Sequence, residues 1–257
     1  MIMAIDVGNT NIKIGLFERS RLCHSWRMYA DRDRTSDELG IILESFFRHT
    51  GRRPIEVDGI IISSVVPSMN YTLEHMCSLF FPQAGAPLFV GPGIKTGINL
   101  RYDNPRSLGS DRICNAVGAY RIYGGPVITI DFGTATTFGV VDDHANFLGG
   151  AICPGVQVSL GALIEKTSML PKIELIKPAS VIGKNAVHCI QSGIVYGYVG
   201  QVDYLISKII AETGRKDTKL IATGGMSRLI SSESTYNITI NSTLTLEGLN
   251  FLYEMNR

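Results

Sequence analysis

Short apolar runs separated by glycine-bearing turns open the chain, and their spacing predicts an α/β protein. Met1–Asp6 and Ile12–Phe17 read as two strands joined by a Gly/Asn turn, with a third strand over Leu22–Met28. Thr35 followed by Glu38 makes a capping box, and Leu39, Ile42, Leu43 and Phe46 recur at helical spacing until Gly51. Ile60–Val66 is a buried-type strand that stops at Pro67. A helix over Asn70–Phe80 and a short strand at Leu88–Val90 follow. Gly91–Gly109 is a polar, glycine-rich loop, long enough to suggest function rather than simple connection. Ser110–Tyr123 returns to helical periodicity. Trp26 and the Phe46-Phe47 pair are expected in the core.

The second half repeats the scheme. Pro126–Ile130 and Ala135–Val141 are predicted strands around another glycine turn, and Phe147–Cys153 is predicted as one more. Helices are expected at Val156–Met169 and Asn185–Ala211, strands at Lys219–Ala222 and Ile238–Ile240, and a last helix at Thr245–Tyr253. The segment Ile5-Asp6-Val7-Gly8-Asn9-Thr10 is echoed by Ile130-Asp131-Phe132-Gly133-Thr134-Ala135, 125 residues later. Each copy sits in a strand–turn–strand. Such an internal duplication implies two similar α/β domains, expected as 1–124 and 125–257 with the boundary at Gly124-Gly125.

Composition narrows the function classes. With 24 Lys or Arg against 23 Asp or Glu the formal net charge is +1, which argues against a dedicated nucleic-acid binder. Charged residues are 18% and apolar residues 45%, so the chain has enough apolar side chains for large cores. No window reaches about 18 uninterrupted apolar residues, so no membrane helix is expected. The start MIMAIDVGN lacks a basic stretch and Asp6 interrupts its apolar run, unlike a signal peptide. Five cysteines without a CxxC fit a reduced, cytoplasmic setting, and the scattered histidines form no metal-ligand pair.

Three turns carry candidate chemistry. In Asp6-Val7-Gly8-Asn9-Thr10-Asn11, an Asp at a strand end precedes a tight turn whose backbone N–H groups and hydroxyls suit an anion. Asp6 can hold a hydrated Mg²⁺ beside that anion, and Lys13 adds a compact positive charge. The same residues also serve ordinary hairpins. Asp131-Phe132-Gly133-Thr134-Ala135-Thr136-Thr137 is a second such turn, and two copies make phosphate binding the stronger reading. Ile221-Ala222-Thr223-Gly224-Gly225 ends an apolar strand with two glycines, as close approach to a nucleoside, or a plain left-handed turn, would require. Competing phosphate motifs fail: there is no GxxxxGK[ST], and Gly91–Gly97 misses GxGxxG by one position. At the start of the Ser110–Tyr123 helix, Asp111 either suits the helix dipole or accepts the proton of an attacking hydroxyl, with Arg112 holding a substrate carboxylate.

The three turns, in this order, resemble the phosphate-1, phosphate-2 and adenosine motifs of the superfamily uniting sugar kinases, actin and heat-shock chaperone ATPases. More specifically, the chain resembles the type III pantothenate kinases. The similarity runs through DxGNT (Asp6–Thr10), GxDR (Gly109–Arg112), IDFGTATT (Ile130–Thr137), GGAICPG (Gly149–Gly155), PKIEL (Pro171–Leu175) and ATGG (Ala222–Gly225).

The resemblance implies two ribonuclease H-like domains, each a mixed five-stranded sheet flanked by helices, with an ATP cleft between them. It implies ATP-dependent phosphorylation of pantothenate to 4′-phosphopantothenate, the first step of coenzyme A biosynthesis, in a cytoplasmic homodimer. Asp111 is then the general base, and Asp6 positions Mg²⁺ through water. Asp131 binds a monovalent cation, K⁺ or NH₄⁺. ATP is contacted by Asp6, Val7, Gly8, Asn9, Thr10, Asn11, Ile12, Lys13, Thr134 and Gly224. Pantothenate is contacted by Tyr102, Gly109, Ser110, Asp111, Arg112 and, from the neighbouring subunit, Ala186. At Ala186 the chain departs from the family's GKNT or GRNT, which predicts weaker or altered substrate binding rather than lost activity. Another small-metabolite kinase of the superfamily, or a non-catalytic regulator on the same fold, is the alternative. The set Asp6, Asp111 and Asp131 speaks against the regulator.

Overall fold

The computed structural model describes all 257 residues. They form two compact units, Met1–Arg121 with Thr243–Arg257, and Ile122–Ser242.

In the first unit the predicted strands become β1 (Ile2–Val7), β2 (Asn11–Glu18), β3 (Arg21–Tyr29), β4 (Gly59–Ser64) and β5 (Leu88–Phe89), joined in the order β3-β2-β1-β4-β5. β1 runs antiparallel to β2 and parallel to β4. The short strand β6 is Asn99–Leu100. Helix α1 (Ser36–His49) begins with the expected capping box: the Glu38 N–H donates to the Thr35 hydroxyl, and the Thr35 N–H donates to Glu38 Oε2. With α2 (Asn70–Phe80) it covers one sheet face. There Ile5, Ile12, Ile14, Leu39, Leu43, Phe47, Leu73 and Met76 form the core. Trp26 stacks on Phe46 at 5.6 Å, while Phe47 is fully buried.

Helix α3 (Ser110–Tyr123) begins where predicted. The residues assigned to the elements from β7 to β12 below belong to the second unit. The last helix, α7 (Leu244–Asn256), packs on β1, β2 and β4 of the first unit. The duplication alone places that helix in the second half. Gly15, between Ile14 and Leu16, meets Leu246 on the face opposite α1 and α2. Gly118 of α3 and Gly248 of α7 let these two helices touch backbone to backbone. A Cβ on Gly248 would strike the Cys114 carbonyl.

The second unit repeats the topology. Its strands are β7 (Val127–Phe132), β8 (Ala135–Val141), β9 (Asn146–Gly149), β10 (Ile152–Pro154), β11 (Lys219–Gly224) and β12 (Thr239–Ile240). The order β9-β8-β7-β11-β12 reproduces β3-β2-β1-β4-β5, including every parallel and antiparallel pairing. That is the ribonuclease H-like arrangement, present twice. The predicted single strand Phe147–Cys153 is divided: Gly149 and Gly150 take φ of +117° and +157°, and β10 turns back to pair with β8. Helix α4 (Val156–Glu165) ends before Met169, and α5 (Ala186–Thr213) stops at Gly214 with φ +68°. The one-turn helix α6 (Ser227–Ser231) follows β11. No helix is long and apolar enough to cross a membrane.

Candidate active site

In the first unit the site residues gather at the C-terminal ends of the parallel strands β1 and β4, the edge where open α/β sheets bind ligands. The β1–β2 turn closes with the Gly8 N–H donating to the Asn11 carbonyl at 3.0 Å. The Ala30 N–H donates to the Thr10 carbonyl, and Arg32 Nη2 donates to Asn9 Oδ1, both at 3.0 Å. Asn9 and Thr10 are exposed, so the turn keeps its tip in water. Behind it, Asp6 is only 7% exposed, with Lys13 Nζ 3.8 Å from its Oδ2. β1–β2 pairing places Asp6 opposite Lys13, which is why the ion pair forms.

Helix α3 enters the same corner. The Ser110 hydroxyl donates to the Ser64 carbonyl at 3.2 Å and lies 3.0 Å from the Ser63 hydroxyl. Asp111 Oδ1 accepts the Arg112 N–H at 2.8 Å, fixing the carboxylate at the helix start. The buried Arg112 guanidinium lies 5.8 Å above the Tyr102 ring, which joins the long loop to the helix. One turn into α3, Cys114 is fully buried. Burial pushes its thiol well above the usual value. The carboxylates of Asp6 and Asp111 push the same way, and a hydrogen bond to Ser63 opposes them. Ser63, paired beside Asp6 and 3.0 Å from the Ser110 hydroxyl, brings the start of α3 with Asp111 to the end of β1 with Asp6.

The second unit builds its own cradle. The β7–β8 turn closes with the Gly133 N–H donating to the Ala135 carbonyl at 3.1 Å, and Thr134 is exposed at its tip. The Gly155 N–H donates to the Thr134 carbonyl at 3.0 Å. A side chain at 155 would collide with the Gly133 and Thr134 carbonyls. Gly224 ends β11 with φ +90°. A Cβ there would lie 2.7 Å from Asp131 Oδ1 and 2.6 Å from the Phe132 carbonyl oxygen. Both a left-handed φ and a close approach therefore require glycine at 224. Asp131 is half-buried beside that space, so a carboxylate and a carbonyl oxygen face the same gap. Ala186 is exposed at the start of α5. There the Asn185 side chain caps the helix by accepting the His188 N–H at 2.9 Å.

The structure brings together Asp6, Lys13, Tyr102, Ser110, Asp111 and Arg112 in one unit, and Asp131, Thr134 and Gly224 in the other. Sequence reasoning missed Ser63, Cys114 and Arg32. The signal for Ser63 is the break from Ile60-Ile61-Ile62 to two serines before Pro67. Cys114 and Arg32 carry no sequence signal of their own, because their contacts depend on the fold.

No three His, Cys, Asp or Glu side chains are grouped so as to hold a metal ion alone. Mg²⁺ characteristically binds through one or two carboxylates, substrate phosphates and water. A lone buried Asp6 beside an anion-suited turn fits that habit. The oxygen pair at Asp131 fits a hard cation equally.

The duplicated ribonuclease H-like fold, with a glycine turn after the first strand of each unit, is shared by solved structures. They include a conserved protein assigned to the Baf family of transcriptional activators from Campylobacter jejuni (17% identity, 98% of this chain and 97% of that chain, TM-score 0.59). A second is the activator of 2-hydroxyisocaproyl-CoA dehydratase from Clostridium difficile with bound ADPNP (14%, 98% and 93%, TM-score 0.55). A third is component A of (R)-2-hydroxyglutaryl-CoA dehydratase from Acidaminococcus fermentans (14%, 98% and 96%, TM-score 0.56). At these identities the likeness shows the fold alone. The chain belongs to the type III pantothenate kinase family, which it matches over residues 2–208. It is a kinase and uses ATP.

Proposed function

We propose that the chain transfers the γ-phosphoryl group of ATP to the primary hydroxyl of pantothenate, with Asp111 as the proton acceptor. The observation that carries this reading is the meeting of the end of β1, with Asp6, and the start of α3, with Asp111, through Ser63 and Ser110, with Arg112 and Tyr102 alongside. One carboxylate at a phosphate turn and one at a helix start are the two groups a hydroxyl-directed phosphoryl transfer needs.

The Asp6–Lys13 turn receives the ATP phosphates, and Asp6 would hold Mg²⁺ through water. Asp131 would hold K⁺ or NH₄⁺, and the Thr134 hydroxyl reaches a phosphate oxygen. When bound, these cations would supply positive charge against that of the transferring group. Gly224 leaves space for the nucleoside. Tyr102 and Gly109–Arg112 hold pantothenate, with the Arg112 guanidinium on its carboxylate. Asp111 removes the hydroxyl proton as the oxygen bonds to the γ-phosphorus. The bond to the β–γ bridging oxygen breaks and ADP leaves.

The working unit in this reading is a cytoplasmic homodimer joined along α5. Gly193, Gly197 and Gly200 lie on its exposed side, and nothing in the chain comes within 4 Å of a Cβ built at any of them. Val187 and Tyr204 flank this stripe, 37% and 62% exposed. Ala186, at the start of the same helix, then serves the neighbouring site.

A coupled ADP-release assay tests the substrate. With ATP, Mg²⁺ and K⁺, pantothenate is expected to turn over while a panel of sugars and hydroxy acids does not. Preferred turnover of a panel member would replace pantothenate by that compound.

A further inference from the structure

Beneath the two carboxylates lies a buried polar relay, of which the proposed mechanism uses only Ser110. β4 is apolar through Ile60, Ile61 and Ile62, all at most 1% exposed, and then changes to Ser63, which is 0% exposed. Parallel pairing puts Ser63 directly beside Asp6 on the adjacent strand, so the two side chains leave the sheet on the same face. The Ser63 hydroxyl lies 3.0 Å from that of Ser110, and Ser110 donates to the Ser64 carbonyl. With its own hydrogen committed there, Ser110 accepts the hydrogen of Ser63. Ser63 also lies within hydrogen-bonding reach of the Cys114 thiol, which burial keeps protonated.

Buried hydroxyls contribute little net stability, and an apolar side chain of the same size serves a core at least as well. Two buried hydroxyls meeting beside a fully buried thiol therefore point to a requirement other than packing. Their common product is positional. The relay ties the end of β4, beside Asp6, to the first residue of α3, next to Asp111.

We propose that Ser63 is a positioning residue for phosphoryl transfer, holding Asp111 in register with Asp6 through Ser110. The proposal rests on the reading of Asp111 as proton acceptor. A 1 Å misplacement of a reacting group is costly in rate, while ground-state binding by the exposed phosphate turn is untouched and the Arg112 guanidinium keeps its place over the Tyr102 ring. Loss of the Ser63 hydroxyl should consequently appear in kcat and not in KM.

The experiment is a double-mutant cycle on the full-length enzyme, with kcat, both KM values and melting temperature measured for wild type, Ser63→Ala, Asp111→Asn and the double variant. Ser63→Ala is expected to lower kcat about three- to tenfold, the effect of one neutral hydrogen bond. Both KM values should stay within about twofold. In the Asp111→Asn background, Ser63→Ala should have no further effect, because the group it positions is gone. Ser110→Ala breaks the relay from the other side and stands in if Ser63→Ala folds poorly; because Ser110 also lies in the segment that holds pantothenate, only its kcat loss and its non-additivity with Asp111→Asn are read, not its KM. Unchanged kcat in Ser63→Ala, or an equal loss with and without Asp111, overturns the positioning role while leaving the base reading intact. Normal turnover of Asp111→Asn alone removes the base reading, and this proposal with it.

Discussion

In the proposed mechanism the chemistry turns on Asp111. Asp111→Asn keeps the size of the side chain and its acceptance of the Arg112 N–H, but removes the base. General base catalysis contributes about 10²–10⁴-fold, so kcat should fall by that order with an unchanged melting temperature. Steady-state kinetics on the folded variant checks this, and near-wild-type turnover would remove Asp111 from the mechanism. Cys77 yields a prediction about pH. Burial, with Glu74 adding, pushes its thiol up to about 12. A raised pKa in the folded state stabilises the fold fully below the unfolded thiol's value of about 8.5, and that contribution fades as pH rises toward 12. Under reducing conditions the melting temperature should decline from about pH 8.5 upward, and the decline should be shallower in Cys77→Ala. An identical slope in both proteins would contradict the assignment.

At the scale of elements, much was legible because the pattern records burial. β1, β2, β4, β7 and β11 are nearly continuous apolar runs because they sit centrally, where both faces are covered. The Asp6 and Asp131 turns were legible because their chemistry is local and repeated. What the pattern does not record is the partner. Leu244, Leu246, Leu249 and Leu252 mark α7 as amphipathic, but nothing in them tells that the buried face belongs to the first unit. Nor does an apolar run show that Gly149 and Gly150 divide Phe147–Cys153. The break to serine at 63 is visible in the sequence, but its meaning comes from its register with Asp6 and its meeting with Ser110. The α3–α7 crossing supplies a direct test of packing. Alanine at position 248 gains about 1 kcal/mol of helix propensity but collides with the immobile Cys114 backbone. Overpacking costs about 1–3 kcal/mol or more and should win. Gly248→Ala should therefore melt several degrees lower by calorimetry, and a higher melting temperature would show that the helices separate easily.

For the whole molecule, two conditions of activity follow. If α5 joins two copies, Gly197→Leu should leave the fold intact, since its side chain meets nothing within the chain, yet yield an inactive monomer. Light scattering should then read 28.1 kDa for the variant and about twice that for the active enzyme. An active Gly197→Leu monomer would contradict the dimer. If Asp131 holds the monovalent cation, exchanging K⁺ for Na⁺ should sharply lower turnover, and Asp131→Ala should lose the cation dependence together with most activity. Equal rates in both salts would argue against that site.

The central claim is that this family member moves the γ-phosphoryl group of ATP onto pantothenate. Mass spectrometry of pantothenate incubated with the enzyme, Mg²⁺, K⁺ and ATP labelled with ¹⁸O in its terminal phosphoryl oxygens measures that transfer itself. Labelled 4′-phosphopantothenate should form at the rate at which ADP appears, and about 10²–10⁴-fold more slowly in Asp111→Asn. Unlabelled pantothenate recovered intact while ATP is hydrolysed, or while another hydroxyl compound takes the label, would contradict it.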